Sequence, residues 1–189
     1  VVHVRQLGDI TYTFIVSGKL WRNSLIMMDE ETESLWSHVT GEALDGAMKG
    51  RRLEVLPSIQ TTWNRWTLEH PEAKLLKKEE AVRSSRYQSY FDDPDRTGMF
   101  RANWLQERLP GKELVHGIVR GPHALAVSDF GLAPGDTLGV ELGEDAITVV
   151  RGPDGGVRAF LDEGGVELVV RPAFWFAWSS FYPNTLVAD

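Results

Sequence analysis

Two stretches of this chain are written to one rule. TTWNRWTLEHP, Thr61 to Pro71, and AFWFAWSSFYP, Ala173 to Pro183, each place two tryptophans three residues apart and a proline five beyond the second, and Trp175 follows Trp63 by 112 positions. Indoles three apart share one face of a helix. A proline just past them ends it, because the preceding residue is biased away from helical dihedrals and the ring cannot continue the turn. In both places a short strand-like run, LEVL or VELVV, leads through a proline region into the pair. Two such indoles bury enough apolar area to close a small β lobe. The spacing therefore predicts two short helices. The first runs from a Ser58 cap through Ile59, Thr62, Trp63 and Trp66 to about Glu69.

The rest of the pattern is β. Val2 and Val4, then Ile10, Tyr12, Phe14 and Val16, alternate with polar residues, which predicts a hairpin around Leu7-Gly8-Asp9. Ser17-Gly18 punctuates, Leu20 to Met28 reads as one strand, and Arg51 to Leu56 as another. From Glu113 the runs LVHGIVR, HALAVS, DTLGVEL, AITVVRG, GVRAFLD and GVELVV follow one another, separated by Gly-Pro, Pro-Gly-Asp and Asp-Gly-Gly turns. That cadence belongs to sandwich- or barrel-like folds. Between the two regions, KKEEAVRSSRYQSYFDDPDRTGMF is polar and reads as a connector with one helical turn. The expected architecture is mainly β with a minor α component: two related β lobes, each closed by a short Trp-containing helix. The divisions are 1–76 for the first lobe, 77–112 for the connector and 113–189 for the second lobe.

Composition narrows the function classes. The chain has no cysteine, which excludes disulfides, thiolate metal sites and thiol nucleophiles among its residues. Net charge is −7, and residues 111–189 hold 11 acidic against 5 basic side chains. Such a field opposes nucleic acid, whose binding needs a concentrated basic face. The basic run Lys74, Lys77, Lys78, Arg83 and Arg86 is broken by Glu79 and Glu80 and reads as a solvated segment. No apolar run reaches the roughly 20 residues of a membrane-spanning helix. VVHVRQLGD has neither an initiator Met nor a signal-peptide pattern and reads as an interior or processed start.

Candidate chemistry is sparse. DDPDRTG resembles the start of a calcium loop, but its twelfth position from Asp93 is Trp104 where a bidentate Glu is needed, so a capped turn is the better reading. Asp29, Glu30, Glu31 and Glu33 crowd four carboxylates into a turn. Asp29, ending an apolar strand, is the member to watch, with a turn-capping role as the simpler alternative. Among the histidines only His3 and His38 are placed to face each other across neighbouring strands, and no third metal ligand goes with them. His70 ends the first helix, and the second segment carries Tyr182 in its place, a change that packing tolerates and a shared catalytic base does not. No nucleophile elbow and no phosphate-binding glycine loop is present. No cofactor is expected.

The stretch from Ser17 to Pro71 resembles domain-of-unknown-function family 3179, a bacterial and archaeal family. The resemblance rests on Ser17-Gly18, Asn23, Asp29, Thr32, Ser34-Leu35-Trp36-Ser37, Gly41-Glu42-Ala43, Gly46, Gly50, Leu56-Pro57-Ser58, Thr61-Thr62-Trp63, Trp66 and His70-Pro71. It is densest over residues 10–76 and thins beyond residue 110. The resemblance implies no particular activity. Family members commonly carry a Cys-Pro-x-Cys segment just before the strand corresponding to VVHVR, and many resemble exported or membrane-tethered proteins, which implies an extracytoplasmic, periplasmic or membrane-peripheral, location. The expectation is a non-catalytic structural or interaction module, an accessory subunit of a larger membrane-associated assembly whose partners are other protein subunits. FWFAWSSFY is apolar on every helical face, so Phe174, Trp175, Phe176, Trp178, Phe181 and Tyr182 form the candidate partner-binding surface, with burial between the lobes as the alternative. Asp29, Trp36 and His38 form the candidate pocket. The rival readings are a redox or metal-dependent enzyme using cysteines upstream of Val1, and small-ligand binding between the lobes.

Overall fold

The computed structural model describes residues 1–76, 88–98 and 106–188. In the first of these segments the strands are β1 (Val2–His3), β2 (Gln6–Leu7), β3 (Ile10–Thr11), β4 (Phe14–Trp21), β5 (Ser24–Asp29), β6 (Leu35–Ser37), β7 (Ala43–Asp45) and β8 (Val55–Leu56), followed by helix α1 (Trp63–Glu69). Helix α2 (Gln88–Asp92) lies in the connector. The last segment holds β9 (Leu114–Arg120), β10 (His123–Ser128), β11 (Thr137–Leu142), β12 (Asp145–Arg151), β13 (Val157–Leu161), β14 (Glu167–Leu168), β15 (Arg171–Phe174), helix α3 (Trp175–Phe181) and β16 (Leu186–Ala188). The protein is mainly β, as its alternation requires.

Pairing is mostly between sequence neighbours. β4-β5-β6-β7 forms one four-stranded sheet, with β2-β3 and β1-β8 as two-stranded ribbons beside it. The C-terminal segment builds the sheets β11-β12-β13-β14 and β15-β9-β10-β16. Ile118, Leu125, Leu142, Ile147, Val149 and Val157 meet in the largest core cluster. Val115, Ala124, Ala126, Trp175 and Trp178 form a second, and Trp36, Ala43 and Leu53 a third.

Two local expectations are corrected, and one pairing was not anticipated. Leu20 to Met28 is not one strand: β4 runs on through Ser17-Gly18 with a bulge, and the chain reverses at Arg22 and Asn23. Both residues have positive φ, 50° and 62°, as the mirror-image two-residue hairpin turn requires. Helix α1 starts four residues later than its apolar spacing suggests, because Thr62 rather than Ser58 accepts the capping bond, from the Arg65 amide. Extended residues before it are held from outside, where the Thr61 hydroxyl donates to the Asp154 carbonyl and Ile59 packs over Gly156. Finally, β16 pairs parallel with β10, Leu186 opposite Leu125. Such a short terminal strand carries too little alternation to be read from sequence.

The two tryptophan helices match in local geometry. Each begins at its first tryptophan and spans seven residues. Each also ends on a residue with φ near −126° and ψ near 70°, whose amide bonds back to the second tryptophan's carbonyl. In each, that second indole packs against the capping ring: Trp66 stacks on His70 at 3.8 Å, and Trp178 lies tilted against Tyr182 at 4.3 Å. Their surroundings differ. α1 has no buried residue, whereas α3 buries Trp175, Phe176, Trp178, Ser179 and Phe181.

Each helix region also reaches the opposite end of the chain. The α1 approach rests on the β12–β13 turn, where Asp154 is fixed by Arg158 at 2.8 Å and by the Gly156 amide at 2.9 Å. At the other contact, the Arg22 guanidinium donates to the Ser180 carbonyl, Ser180 Oγ donates back to the Arg22 carbonyl, and Trp21 meets Phe181 edge-on at 5.2 Å. These reciprocal contacts hold the two ends of the chain against each other.

Candidate functional site

The aromatic residues expected to form a docking surface lie inside this chain. Trp175, Phe176, Trp178 and Phe181 are buried, and Phe174 and Tyr182 are half-buried. Their polar atoms are used internally: Trp175 Nε1 donates to the Gln106 carbonyl at 2.6 Å and Trp178 Nε1 to Thr185 Oγ1 at 3.1 Å. A helix apolar all round needs apolar surroundings, and here the β9–β10 sheet supplies them. Gly117 on β9 leaves the space that the Trp178 ring fills.

Of the Asp29, Trp36 and His38 group, the structure brings the first two together. Asp29 is fully buried, and one carboxylate oxygen accepts from the Thr32 amide at 2.5 Å and the Thr32 hydroxyl at 2.7 Å. The other accepts from Trp36 Nε1 at 2.7 Å. Burial pushes its pKa up, but these hydrogen bonds outweigh burial and hold the carboxyl below its ordinary value. A carboxylate so fully engaged organises the 29–34 turn and the Trp36 indole, the turn-capping role anticipated for it.

His38 turns to His3 instead. Their rings lie edge to face at 6.3 Å, and His3 Nε2 donates to the His38 carbonyl at 2.8 Å. That bond fixes the His3 tautomer and leaves Nδ1 as an acceptor, enclosed and without a partner. Gly41, at φ +73°, lets the chain pass this ring, since a Cβ there would sit 3.1 Å from it.

The charge of Arg171, from the other end of the chain, bears on His3. Arg171, opposite Gly117 at the start of β15, is half-buried, and its Nε is enclosed without a hydrogen-bond partner. Arg120, Arg151 and Arg158 each meet a carboxylate within 3.1 Å. Arg171 meets none among the described residues. The charged residues bearing on it among those described are cationic: Arg52, itself paired with Glu42 at 2.7 Å, acts on both Arg171 and Tyr182, and Arg171 acts on His3. Burial first, then this field, holds His3 below its ordinary pKa despite the His38 carbonyl. His38 is pushed down to about 4, first of all by burial, with His3 adding to it. Burial raises the Tyr182 phenol, so it stays protonated as a donor. Among the described residues Arg171 is thus a half-buried cation without a carboxylate partner.

Sequence reasoning paired His3 with His38 and placed Tyr182 at the helix stop, but it did not single out Arg171. The available signal was a lone arginine inside the apolar run GVELVVRPAFWFAW.

Two other features have structural roles. In DDPDRTG the Asp95 amide bonds Asp93 Oδ1 at 3.1 Å, and the Lys112 ammonium takes the carbonyls of Tyr90 and Asp93, so a built-in cation occupies that turn. His116 bonds Asp129 at 2.8 Å, and Arg151 ties Asp129 and the carbonyls of Asp129 and Leu132 together. Among the described residues no group of three or more acidic or histidine side chains is placed to hold a metal ion. No helix described is long and apolar enough to cross a membrane. The basic residues from Lys77 to Arg86, and Trp104, lie outside the described residues.

The chain belongs to the family described as protein of unknown function DUF3179, whose model matches residues 1–164. The match contains His3 and His38 and stops short of Arg171 and Tyr182. No curated protein and no solved structure matches the chain.

Proposed function

We propose that this member of the DUF3179 family is a non-catalytic binding module that receives a small ligand at the seam between the two ends of its chain. One observation carries the reading: among the described residues Arg171 is half-buried with an enclosed, unpartnered Nε and no carboxylate, and its charge bears on His3, whose Nδ1 is also enclosed and unpartnered. Buried polar groups are normally paired, and orphaned ones call for an explanation. Leaving them so costs stability, a cost that a bound partner offsets. The reciprocal contacts of Arg22 with Ser180 and of Thr61 with Asp154 hold the seam in one geometry, and preorganisation lowers the entropy lost on binding. The test is native mass spectrometry on protein extracted gently from its source. A small molecule retained by the natural chain and lost from Arg171→Met supports the reading, and a chain of bare mass in both argues against it.

A second reading keeps the interaction role, with the protein as an accessory subunit of a membrane-associated extracytoplasmic assembly. What favours it is the open edge of β4, where Ile15, Val16 and Leu20 are exposed, Val16 by 71%. Apolar residues on an unpaired strand edge suit the addition of a partner's strand. Co-migration with a large complex on size exclusion, released by Val16→Lys, supports this role. Migration of the natural protein as one or two free chains counts against it.

A further inference from the structure

We propose that this protein pairs with a second copy of itself about a two-fold axis, helix α1 of each copy covering the exposed face of the β1–β8 ribbon of the other. The surface uses neither the β4 edge nor His3 and Arg171.

The two halves of the chain repeat one plan. In each, a strand is followed by a four-stranded meander, β4-β5-β6-β7 or β11-β12-β13-β14. Next comes a strand that pairs antiparallel with the first, β8 with β1 or β15 with β9, and then the tryptophan helix. Even the register repeats. Val2 lies opposite Leu56 and His3 opposite Val55, as Val115 lies opposite Ala173 and His116 opposite Pro172. One residue further on, the Val4 amide donates to the Glu54 carbonyl where Gly117 faces Arg171.

What covers this face differs between the halves. In the second, α3 lies on it: Trp175 and Trp178 share a core cluster with Val115 and Ala173, and Val115 is 0% exposed. In the first, the same face stays open among the described residues. Val2 is 47% exposed, and Trp63, the counterpart of Trp175, 41%. Leu56 on the ribbon and Leu68 on the helix are exposed as well. The chain's own α1 is held away. Residues 57–62 intervene between β8 and α1, whereas β15 runs straight into α3, and Thr61 and Ile59 fasten this stretch to the β12–β13 turn. Each copy therefore carries an uncovered seat and a helix with its leading indole exposed, and exchange about a two-fold axis satisfies both at once.

Charge fits the exchange. In the second half Tyr182 ends the helix and packs against Trp178 at 4.3 Å, Trp178 fills the space over Gly117, and Gly117 faces Arg171. The matched residues of the first half are His70, Trp66, Val4 and Glu54. A helix seated in the same sense brings the His70 imidazole, a donor, toward the exposed Glu54 carboxylate, an acceptor. Such complementarity fixes register and orientation. Val4 fills the slot that Gly117 leaves, so α1 rides higher than α3 and the contact rests on Trp63 over Val2 and Leu56. A seat that shallow gives a reversible dimer.

The experiment is sedimentation equilibrium of the whole protein over a range of concentrations, with near-ultraviolet circular dichroism as the check on folding. The expected result is a reversible monomer–dimer equilibrium. Trp63→Ser and Val2→Glu should each weaken it about tenfold or more. Each substitution spoils both contacts of a two-fold dimer, so an equimolar mixture of the two variants should associate more tightly than either alone: only the mixed pair retains one intact helix and seat. Glu54→Lys, at an exposed position, should also weaken the dimer without disturbing the core, and His70→Glu in the same chain should restore it. A natural protein that stays monomeric overturns the proposal. So does a dimer indifferent to Trp63 and Val2, which belongs to another surface, or a mixture no tighter than its components, in which like packs on like.

Discussion

Replacing Gly117 by alanine tests how the second tryptophan helix is seated. A Cβ at Gly117 would lie 2.1, 2.2 and 2.5 Å from Cζ3, Cη2 and Cε3 of Trp178. Carbon atoms rest at about 3.5 Å or more, so the ring or the strand must retreat by more than about 1 Å. The ring has little room, because Nε1 is tied to Thr185 Oγ1, the ring packs against Tyr182 at 4.3 Å, and Val115, Ala124 and Ala126 pack around it. Overpacking a close-packed core costs about 1–3 kcal/mol, and loss of the indole hydrogen bond adds about 1 kcal/mol. A destabilisation of about 2–4 kcal/mol follows. For a chain of this size each kcal/mol shifts Tm by about 2–4 °C, so calorimetry should record a fall of roughly 4–16 °C. Urea unfolding supplies the free energy directly. Trp178→Leu provides the internal control: it carries its own cavity cost, but in that background Gly117→Ala should cost less than about 1 kcal/mol, a coupling expected only between touching residues. A Gly117→Ala protein within about 0.5 kcal/mol of the natural one, or the same cost in both backgrounds, would refute the packing described.

Three further expectations use the same assays. Asp29→Asn removes the charge from a buried acceptor of three hydrogen bonds and should cost about 1.5–3 kcal/mol in urea unfolding; an unchanged midpoint would mean that the 29–34 turn does not depend on the carboxylate. Stability should fall in two pH windows. His3, His38 and His116 are held below their ordinary pKa chiefly by burial, so the unfolded chain binds protons that the folded one refuses, and stability should decline as pH drops from about 6.5 toward the value of about 4 held by His38. The second window lies below the unfolded carboxyl pKa, where protonation of Asp29, whose folded pKa is depressed, removes its contribution. Urea midpoints measured against pH should show both declines, and His38→Gln should flatten the upper one. Asn23→Gly, at a φ of 62°, should be neutral or slightly stabilising, whereas Asn23→Val should cost about 1–2 kcal/mol by thermal unfolding because a β-branched residue resists that conformation.

Local physics was legible in the chain, and long-range placement was not. The paired tryptophans and their prolines determined two short helices and where each one stops, though not where the first begins, because backbone sterics and helical periodicity act over a few residues. Alternation and turn residues likewise determined β9 to β13, each paired with a neighbour in sequence. Asp29 could be picked out as a buried turn-capping acid from its place at the end of an apolar strand. The sequence did not determine that α3 would be buried while α1 stayed half-exposed, although the two carry the same motif. Only the tertiary structure decided that, since burial depends on the surface each helix meets, and the space above Gly117 exists for one of them alone. The seam was hidden for the same reason. His3 and Arg171 stand far apart in the chain, and an arginine within an apolar run says nothing about its partners until folding brings the two ends together. Periodicity specifies which face of an element is apolar; the charge environment of a site arises from residues whose separation in sequence no local pattern records.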